Sequence, residues 1–279
     1  MNKKPAILET YNIDEDSTDR QKRVTGWSQG KIAECKVLVA GAGALGNELT
    51  KNLVQLGVGR IYLVDFDYVV TSNLNRCIFL RSQDSETGES KAVAVAKRAK
   101  DVNPGVEITP LVENLEKVDK RIYQNVDIAF SGLDNLAARI QLNIDCCLNN
   151  IPLVDGGTEG FMGYVQVVIP PDTPCLECGM SERDWKHIWQ RLSCTGPYED
   201  VGERVIPALP TTTSIVAGIQ VQEAIKIIFG LENYRKKKKW NDSFGVPLAG
   251  KRLFYNAVTN TYKIYELSRN KKCNICAFQ

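Results

Sequence analysis

Four cysteines in the second half of the chain are spaced as two pairs that could hold one metal ion. Cys175 and Cys178 are separated by two residues, and so are Cys273 and Cys276. A Cys-x-x-Cys turn places two thiolates on one metal ion, and two such turns complete the tetrahedral sulfur site that Zn²⁺ accepts. The alternative is two coincidental pairs of free thiols. The spacing predicts a structural zinc site that ties the C-terminus to the first pair.

A fifth cysteine, Cys194, lies between these pairs in a sequence typical of a reactive thiol. The small residues Thr195 and Gly196 and then Pro197 follow it. A free thiol with a pKa of ~8.5 is only slightly ionised at neutral pH, so a nearby cation or helix N-terminus would have to activate it. The chain has one histidine, His187, which excludes a site with several histidine ligands. We interpret Cys194 as a nucleophile that could capture an acyl group.

A glycine-rich loop in the first half could bind phosphate. Gly41, Gly43 and Gly46 follow an apolar run and open a helical stretch, which is the context that the dinucleotide-binding fingerprint requires. Glycines let the backbone approach phosphate, and the helix N-terminus offers unpaired N–H groups. Asp65 ends the next apolar run, where a carboxylate can hold ribose hydroxyls. These residues alone would favour an NAD-dependent dehydrogenase.

Two cations and a later acidic residue favour a triphosphate instead. Arg76 and Lys91 follow Asp65 and could meet at one pocket, which a triphosphate needs more than a diphosphate does. Asp134 and Asn135 end a later strand, and Asp134 could hold Mg²⁺. Each of these residues also has a structural interpretation: Arg76 in a surface ion pair, Lys91 as a helix-face charge, Asp134 as a helix cap.

Apolar runs alternate with amphipathic stretches, which predicts an α/β fold with a doubly wound, mostly parallel sheet. The predicted strands are 36–40, 61–65, 106–112, 126–131, 153–155, 164–169, 252–256 and 262–267, and the predicted helices are 44–56, 91–102, 135–149 and 213–229. Residues 236–239 are four lysines, which we interpret as a solvated loop. Cys35, Cys146 and Cys147 lie in apolar or helical contexts and are predicted to be buried.

We expect a flexible arm over residues 1–18 and one domain over 19–279. The 35 basic and 33 acidic side chains nearly balance, which argues against a dedicated nucleic-acid-binding protein. No run of about 18 apolar residues and no apolar N-terminal segment is found, so we expect no membrane association. Nine cysteines, an odd number, fit a reducing compartment, and we expect a cytoplasmic protein.

Beyond these separate motifs, the chain resembles the ubiquitin-like protein activating superfamily, which includes MoeB, ThiF and the ubiquitin-activating enzymes. The resemblance covers nearly the whole chain, from Asp19 to Cys276. It is carried by the glycine loop, the block 65–76, Lys91, the Leu133-Asp134-Asn135 sequence with Arg139, and both cysteine pairs. It implies a Rossmann-like adenylation domain that binds ATP, Mg²⁺ and structural Zn²⁺ and acts on a ubiquitin-like protein ending in Gly-Gly.

The resemblance also implies roles for individual residues. Asp65 would hold the ribose, and Asp134 would position Mg²⁺. Arg20 would enter the phosphate site of the neighbouring subunit of a homodimer. The nucleotide contacts would come from a larger set: Gly41, Gly43, Gly46, Asp67, Ser72, Asn73, Arg76, Lys91 and Asn135. The family usually has glutamine after this arginine, whereas this chain has Cys77, which puts that one contact in doubt.

Four functions remain open at this point. The first is an activating enzyme that adenylates a ubiquitin-like protein, forms a thioester on Cys194 and serves a conjugating enzyme. The second is a sulfur-carrier adenylyltransferase for molybdopterin or thiamine synthesis. A non-catalytic scaffold and an NAD-dependent dehydrogenase are the third and fourth.

Overall fold

The computed structural model describes residues 16–181, 207–240 and 243–277. Within them the chain forms one eight-stranded sheet. The strands are β1 (Lys36–Ala40), β2 (Arg60–Val64), β3 (Glu107–Leu111), β4 (Ile128–Ser131), β5 (Leu153–Glu159), β6 (Met162–Val168), β7 (Lys251–Asn256) and β8 (Thr261–Glu266). Cys194, His187 and most of the predicted arm lie outside the described residues, so the division of the chain at residue 18 stays a prediction.

The strand order places a ligand crevice at the centre of the sheet. The order is β3-β2-β1-β4-β5-β6-β7-β8, parallel from β3 to β5 and antiparallel from β5 to β8. Strands β2 and β3 therefore lie on one side of β1, and β4 and the later strands lie on the other side. Parallel sheets bind ligands at the carboxyl ends of the strands where the order reverses. In this protein that point lies between β1 and β4.

Helices cover both faces of the sheet, as a doubly wound fold requires. They are α1 (Asp19–Lys22), α2 (Gln29–Glu34), α3 (Ala44–Leu56), α4 (Ser82–Thr87), α5 (Lys91–Val102), α6 (Leu136–Leu148) and α7 (Pro210–Lys237). Alternate residues of β1 point to opposite sides, so Val37 and Val39 join the core under α3, α5 and α7. Leu38 and Ala40 join the core under α6. The predicted fold class is confirmed.

Helix α7 is longer than its predicted span of 213–229, and it is the largest correction to the sequence analysis. It starts at Pro210 and continues into the lysine run as far as Lys237, then ends at Lys238 in a left-handed conformation with φ of 53°. The lysines at 236 and 237 are therefore helical rather than part of a loop. Cations in a last turn interact favourably with the negative end of the helix dipole.

Helix α7 is also the one helix among the described residues that is long and apolar enough to span a membrane. Its 28 residues include a window with a mean hydropathy of 1.4, of which 56% is buried inside the protein. The helix packs against α3, β5 and β6. This burial accounts for its apolar composition as that of a core helix.

Strand β5 is longer than the predicted span of 153–155 and forms a hairpin with β6. Strand β5 continues past Asp155 to Glu159, which pairs with Met162 across the turn. Gly160 occupies the turn with φ of 54°, a backbone conformation that glycine adopts without steric cost. The antiparallel half of the sheet therefore starts directly beside the crevice, and its first residues can line a binding site there.

Candidate active site

Two of the three loop glycines are required sterically, and the third leaves the helix N-terminus open. Gly41 has φ of 95°, and a Cβ there would lie 2.8 Å from the carbonyl oxygen of Gly132. A Cβ on Gly46 would lie 1.8 Å from the carbonyl oxygen of Gly41, so only glycine lets α3 pack this closely on the loop. A Cβ on Gly43, the N-cap of α3, would meet nothing within 4 Å. The helix N-terminus is therefore open to an approaching anion.

Asp65 holds the glycine loop against the end of β2. Its two carboxylate oxygens accept hydrogen bonds from the backbone N–H groups of Ala42, at 2.6 Å, and Asp67, at 2.8 Å. Burial raises the pKa of the Asp65 carboxyl, and these two backbone donors oppose that rise. The carboxylate thus lies at the position where the fingerprint predicts a ribose contact.

The predicted phosphate-binding side chains surround the open end of the loop. The Nζ of Lys91 lies 2.6 Å from Oδ2 of Asp67, with the lysine side chain 12% exposed and the aspartate 49% exposed. The Arg76 guanidinium donates to the backbone carbonyl of Ser72. Asn73 is buried and lines the same cavity as Arg76 and Lys91. Two cations and an amide therefore meet at one edge of the sheet.

These residues line one end of a cavity of about 980 Å³. Of the predicted nucleotide site, it is lined by Gly41, Gly43, Asp65, Asp67, Asn73, Arg76, Lys91, Asp134 and Asn135. Ser72, Gly46 and Arg20 do not line it. The other end is formed by β5, β6 and β7 and includes Gly157, Met162, Tyr164 and Phe254. The volume lies at the upper end of the range for small-ligand sites, ~300–1,000 Å³.

Asp134 lies at the cavity rather than at the helix cap. The N-cap of α6 is Asn135, whose Oδ1 accepts a hydrogen bond from the backbone N–H of Ala138 at 2.8 Å. Asp134 is exposed and has no hydrogen bond or ion pair to any other residue that the structure describes. The interpretation of Asp134 as a helix cap is therefore wrong, and its carboxylate is available to a cation.

A buried ion pair between Arg139, which lines the cavity, and Asp155 is a feature that the sequence analysis missed. Arg139 on α6 donates from Nε, at 3.0 Å, and from Nη2, at 2.5 Å, to the two carboxylate oxygens of Asp155. The Arg139 side chain is 12% exposed and the Asp155 side chain 2%. The guanidinium carbon also lies 5.0 Å from the ring centre of Tyr164. The family resemblance included Arg139, but no spacing in the sequence predicted its pairing with Asp155.

The two cysteine pairs lie together, away from this cavity. All four Sγ atoms are within 4.8 Å of one another, and the closest contacts between the pairs are 3.5 Å, Cys175 to Cys273, and 3.4 Å, Cys178 to Cys276. Sulfur atoms around a tetrahedral Zn²⁺ with Zn–S bonds of ~2.3 Å lie ~3.8 Å apart. The cluster could therefore hold zinc after small side-chain shifts.

Comparisons with known proteins agree with this architecture. The model of the ThiF family matches residues 16–275. The chain belongs to the ThiF family.

Curated relatives of this ThiF-family chain include activating enzymes. The chain is 29% identical to the SAMP-activating enzyme E1 of Haloferax volcanii over 274 residues, which cover 96% of this chain and 92% of the relative. It is 36% identical over 159 residues to the Nedd8-activating enzyme E1 catalytic subunit of Drosophila melanogaster, covering 52% of this chain but only 35% of that subunit. The chain thus spans about a third of the latter relative.

A solved structure shares the fold. E. coli MccB bound to ATP superposes with a TM-score of 0.68 at 20% identity, over 89% of this chain and 68% of that one. At this identity the likeness supports the fold alone. The resemblance inferred from the motifs is confirmed at the level of the family.

Within this ThiF-family fold, Arg20 is remote from the cavity of its own chain. It lies on α1, where Gln21 donates from Nε2 to the carbonyl oxygen of Leu56 at 2.9 Å. Leu56 ends α3, whereas Gly43 begins it, and 13 residues of helix span ~20 Å. The role of Arg20 in a neighbouring subunit remains a prediction, as does the homodimer.

Cys77 stands where the family usually has glutamine, and it places a neutral thiol at the end of the cavity with the predicted phosphate-binding residues. Cys77 lines the cavity and is 2% exposed. Burial raises the pKa of its thiol to about 11, so the side chain is protonated at neutral pH. Cys35, Cys146 and Cys147 are buried, as predicted.

Proposed function

We propose that this protein uses ATP to adenylate the C-terminal glycine of a ubiquitin-like protein. One observation carries the proposal: a single cavity joins a phosphate-binding end to a second end formed by β5, β6 and β7. A nucleotide at the first end leaves room for a second, extended substrate at the other. The names of the relatives, enzymes that activate SAMP and Nedd8, indicate the class of that substrate.

In this proposal the residues of the nucleotide end act through position and charge. The open N-terminus of α3 at Gly43, with Arg76 and Lys91, would hold the phosphates, and Asp65 the ribose. Asp134 would hold Mg²⁺. The substrate carboxylate attacks the α-phosphate, the bond to the β-phosphate breaks, and pyrophosphate leaves. Such a step depends on alignment and on neutralising charge rather than on a proton-transferring base.

Zinc would have a structural role in this account. The four sulfur ligands would complete a closed site, with no position left for a substrate. Bound there, zinc would tie residues 273–276 to residues 175–178, the segment that follows β6.

The second step of the proposal is a thioester on Cys194. Its thiolate attacks the carbonyl carbon of the acyl-adenylate, the mixed anhydride bond breaks, and AMP leaves. A conjugating enzyme would then accept the acyl group. A homodimer in which Arg20 serves the partner's cavity belongs to the same proposal.

The test is exchange of labelled pyrophosphate into ATP in the presence of candidate proteins ending in Gly-Gly. We expect exchange with at least one candidate and none when its last glycine is removed. A Cys194→Ala variant should keep the exchange and lose a covalent adduct that dithiothreitol cleaves. An adduct that survives this substitution would overturn the role of Cys194, and a thiocarboxylate product would indicate sulfur transfer instead.

A further inference from the structure

A second, smaller cavity of about 170 Å³ adjoins the active-site cavity. The two cavities share three lining residues, Arg139, Tyr164 and Phe254. Because these side chains contribute to both, a molecule that leaves the active site over Tyr164 and Phe254 passes the opening of the second cavity. None of the residues assigned to the nucleotide lines it.

Apolar side chains form much of the wall of this second cavity. Leu136 and Ile140 come from α6, and Leu176 and Met180 come from the segment around the first cysteine pair. A cavity of ~150 Å³ with aliphatic and aromatic walls can accept a molecule of the size of benzene. The second cavity is therefore large enough for one leucine or phenylalanine side chain.

Two arginines, Arg139 and Arg252, also line the second cavity, and each is held by a hydrogen bond to a neighbouring side chain. Asp155 fixes Arg139, and Gln166 accepts a hydrogen bond from Nε of Arg252 at 2.8 Å. The two guanidinium carbons lie 5.0 Å and 5.4 Å from the ring centre of Tyr164. Guanidinium donors beside an apolar recess suit a peptide, whose carbonyl groups accept hydrogen bonds while one side chain enters the recess.

We propose that the second cavity binds one apolar side chain in the C-terminal tail of the substrate, and so contributes to substrate specificity. The proposal rests on the proposed function. Because both guanidinium groups contact one tyrosine ring, they lie at most about 10 Å apart, the length of ~3 residues of extended chain, so a short stretch of the tail can contact both.

Fluorescent hexapeptides ending in Gly-Gly test this directly. One leucine is placed at each of the four upstream positions in turn, the others being serine, and binding is measured by anisotropy with a non-hydrolysable ATP analogue present. We expect one position to bind about tenfold more tightly than the all-serine peptide, as burial of a leucine side chain predicts. Equal affinity for all the peptides would overturn the proposal.

Two variants on the same helix provide a matched comparison. Leu136→Trp fills the cavity and should remove the leucine preference. Leu148→Trp makes the same substitution at a site that is 72% exposed and should keep it. As a second probe, Met180→Ala enlarges the cavity and should shift the preference from leucine toward phenylalanine. The same leucine preference in all three variants would contradict the assignment.

Pyrophosphate exchange separates the failure of this proposal from failure of the proposed function. If wild-type protein catalyses exchange with a Gly-Gly protein but shows no leucine preference, the cavity assignment alone is wrong. If no carboxylate supports exchange, the proposed function is wrong, and the peptide affinities still decide whether the cavity binds an apolar side chain.

Discussion

The ion pair between Arg139 and Asp155 offers the sharpest test of how the side chains beside the cavity are held in place. Its two hydrogen bonds measure 3.0 and 2.5 Å, and the carboxylate is 2% exposed. Removing one partner of a buried pair leaves an uncompensated charge and costs ~3–5 kcal/mol. Arg139→Ala should therefore lower the free energy of unfolding by about that amount. For a domain of this size this corresponds to a melting temperature lower by ~10 °C.

Replacing the other partner, Asp155, should lower the free energy of unfolding by less, because Arg139 lines a cavity that water can enter. In Asp155→Ala the Arg139 guanidinium still contacts Tyr164 and lines the large cavity, where water can solvate it. We expect a loss of ~1–3 kcal/mol, the cost of an unsatisfied hydrogen-bonding group.

A double-mutant cycle by equilibrium urea unfolding measures the coupling. The double variant leaves no buried charge, so its loss should be smaller than the sum of the single losses by ~2–3 kcal/mol. Losses that add without coupling would refute the argument that these two residues stabilise the site as a pair.

Three further predictions address the phosphate end, the electrostatics and the metal site. Lys91→Ala should lower the rate of pyrophosphate exchange ~100-fold, as removal of one charge-stabilising group does, with an unchanged melting temperature; an unaffected rate would exclude Lys91 from the site. The Asp84 carboxyl is buried, which raises its pKa, but hydrogen bonds from Arg98 outweigh this and hold the pKa below the usual 3.8. Its stabilising contribution is thus present above pH 3.8 and lost as the pH falls through the lowered pKa. Asp84→Asn should therefore be less stable than wild type at pH 7, and the difference should shrink as the pH falls below 3.8; a difference independent of pH would contradict this. Cys276→Ser should abolish the roughly one zinc per chain expected by metal analysis, whereas Cys35→Ser, at a buried cysteine outside the cluster, should retain it, and equal zinc in both variants would refute the ligand assignment.

Local signals accounted for the parts of the fold that the sequence predicted best. Helix α3 has its predicted bounds because Gly43 begins it and Gly57 ends it in a left-handed conformation. Helix α7 was predicted too short because its ends carry threonines and lysines, which are not apolar. Its N-terminal turns nevertheless include Thr212 and Thr213, which are buried against the rest of the protein. Tertiary packing decides such ends, and one sequence does not show it.

The candidate site divides in the same way. The glycine loop, Asp65, Arg76, Lys91 and Asp134 follow strands or open helices at one edge of the sheet, so topology brings them together. The pairing of Arg139 with Asp155 joins a helix to a strand and depends on side-chain directions that no spacing rule fixes. The second cavity depends on how the first cysteine pair packs against α6. Neither has a signature in the sequence.

Transfer of ¹⁸O tests the central claim most directly. A ubiquitin-like protein that supports pyrophosphate exchange is labelled with ¹⁸O in its C-terminal carboxylate and incubated with ATP and the enzyme, and the AMP released is analysed by mass spectrometry. Attack of the carboxylate on the α-phosphate makes one carboxylate oxygen the bridge of the adenylate, so cleavage on the acyl side leaves that oxygen on AMP. We expect AMP that carries one ¹⁸O atom. Unlabelled AMP, or label found in inorganic phosphate with ADP as the nucleotide product, would contradict adenylation.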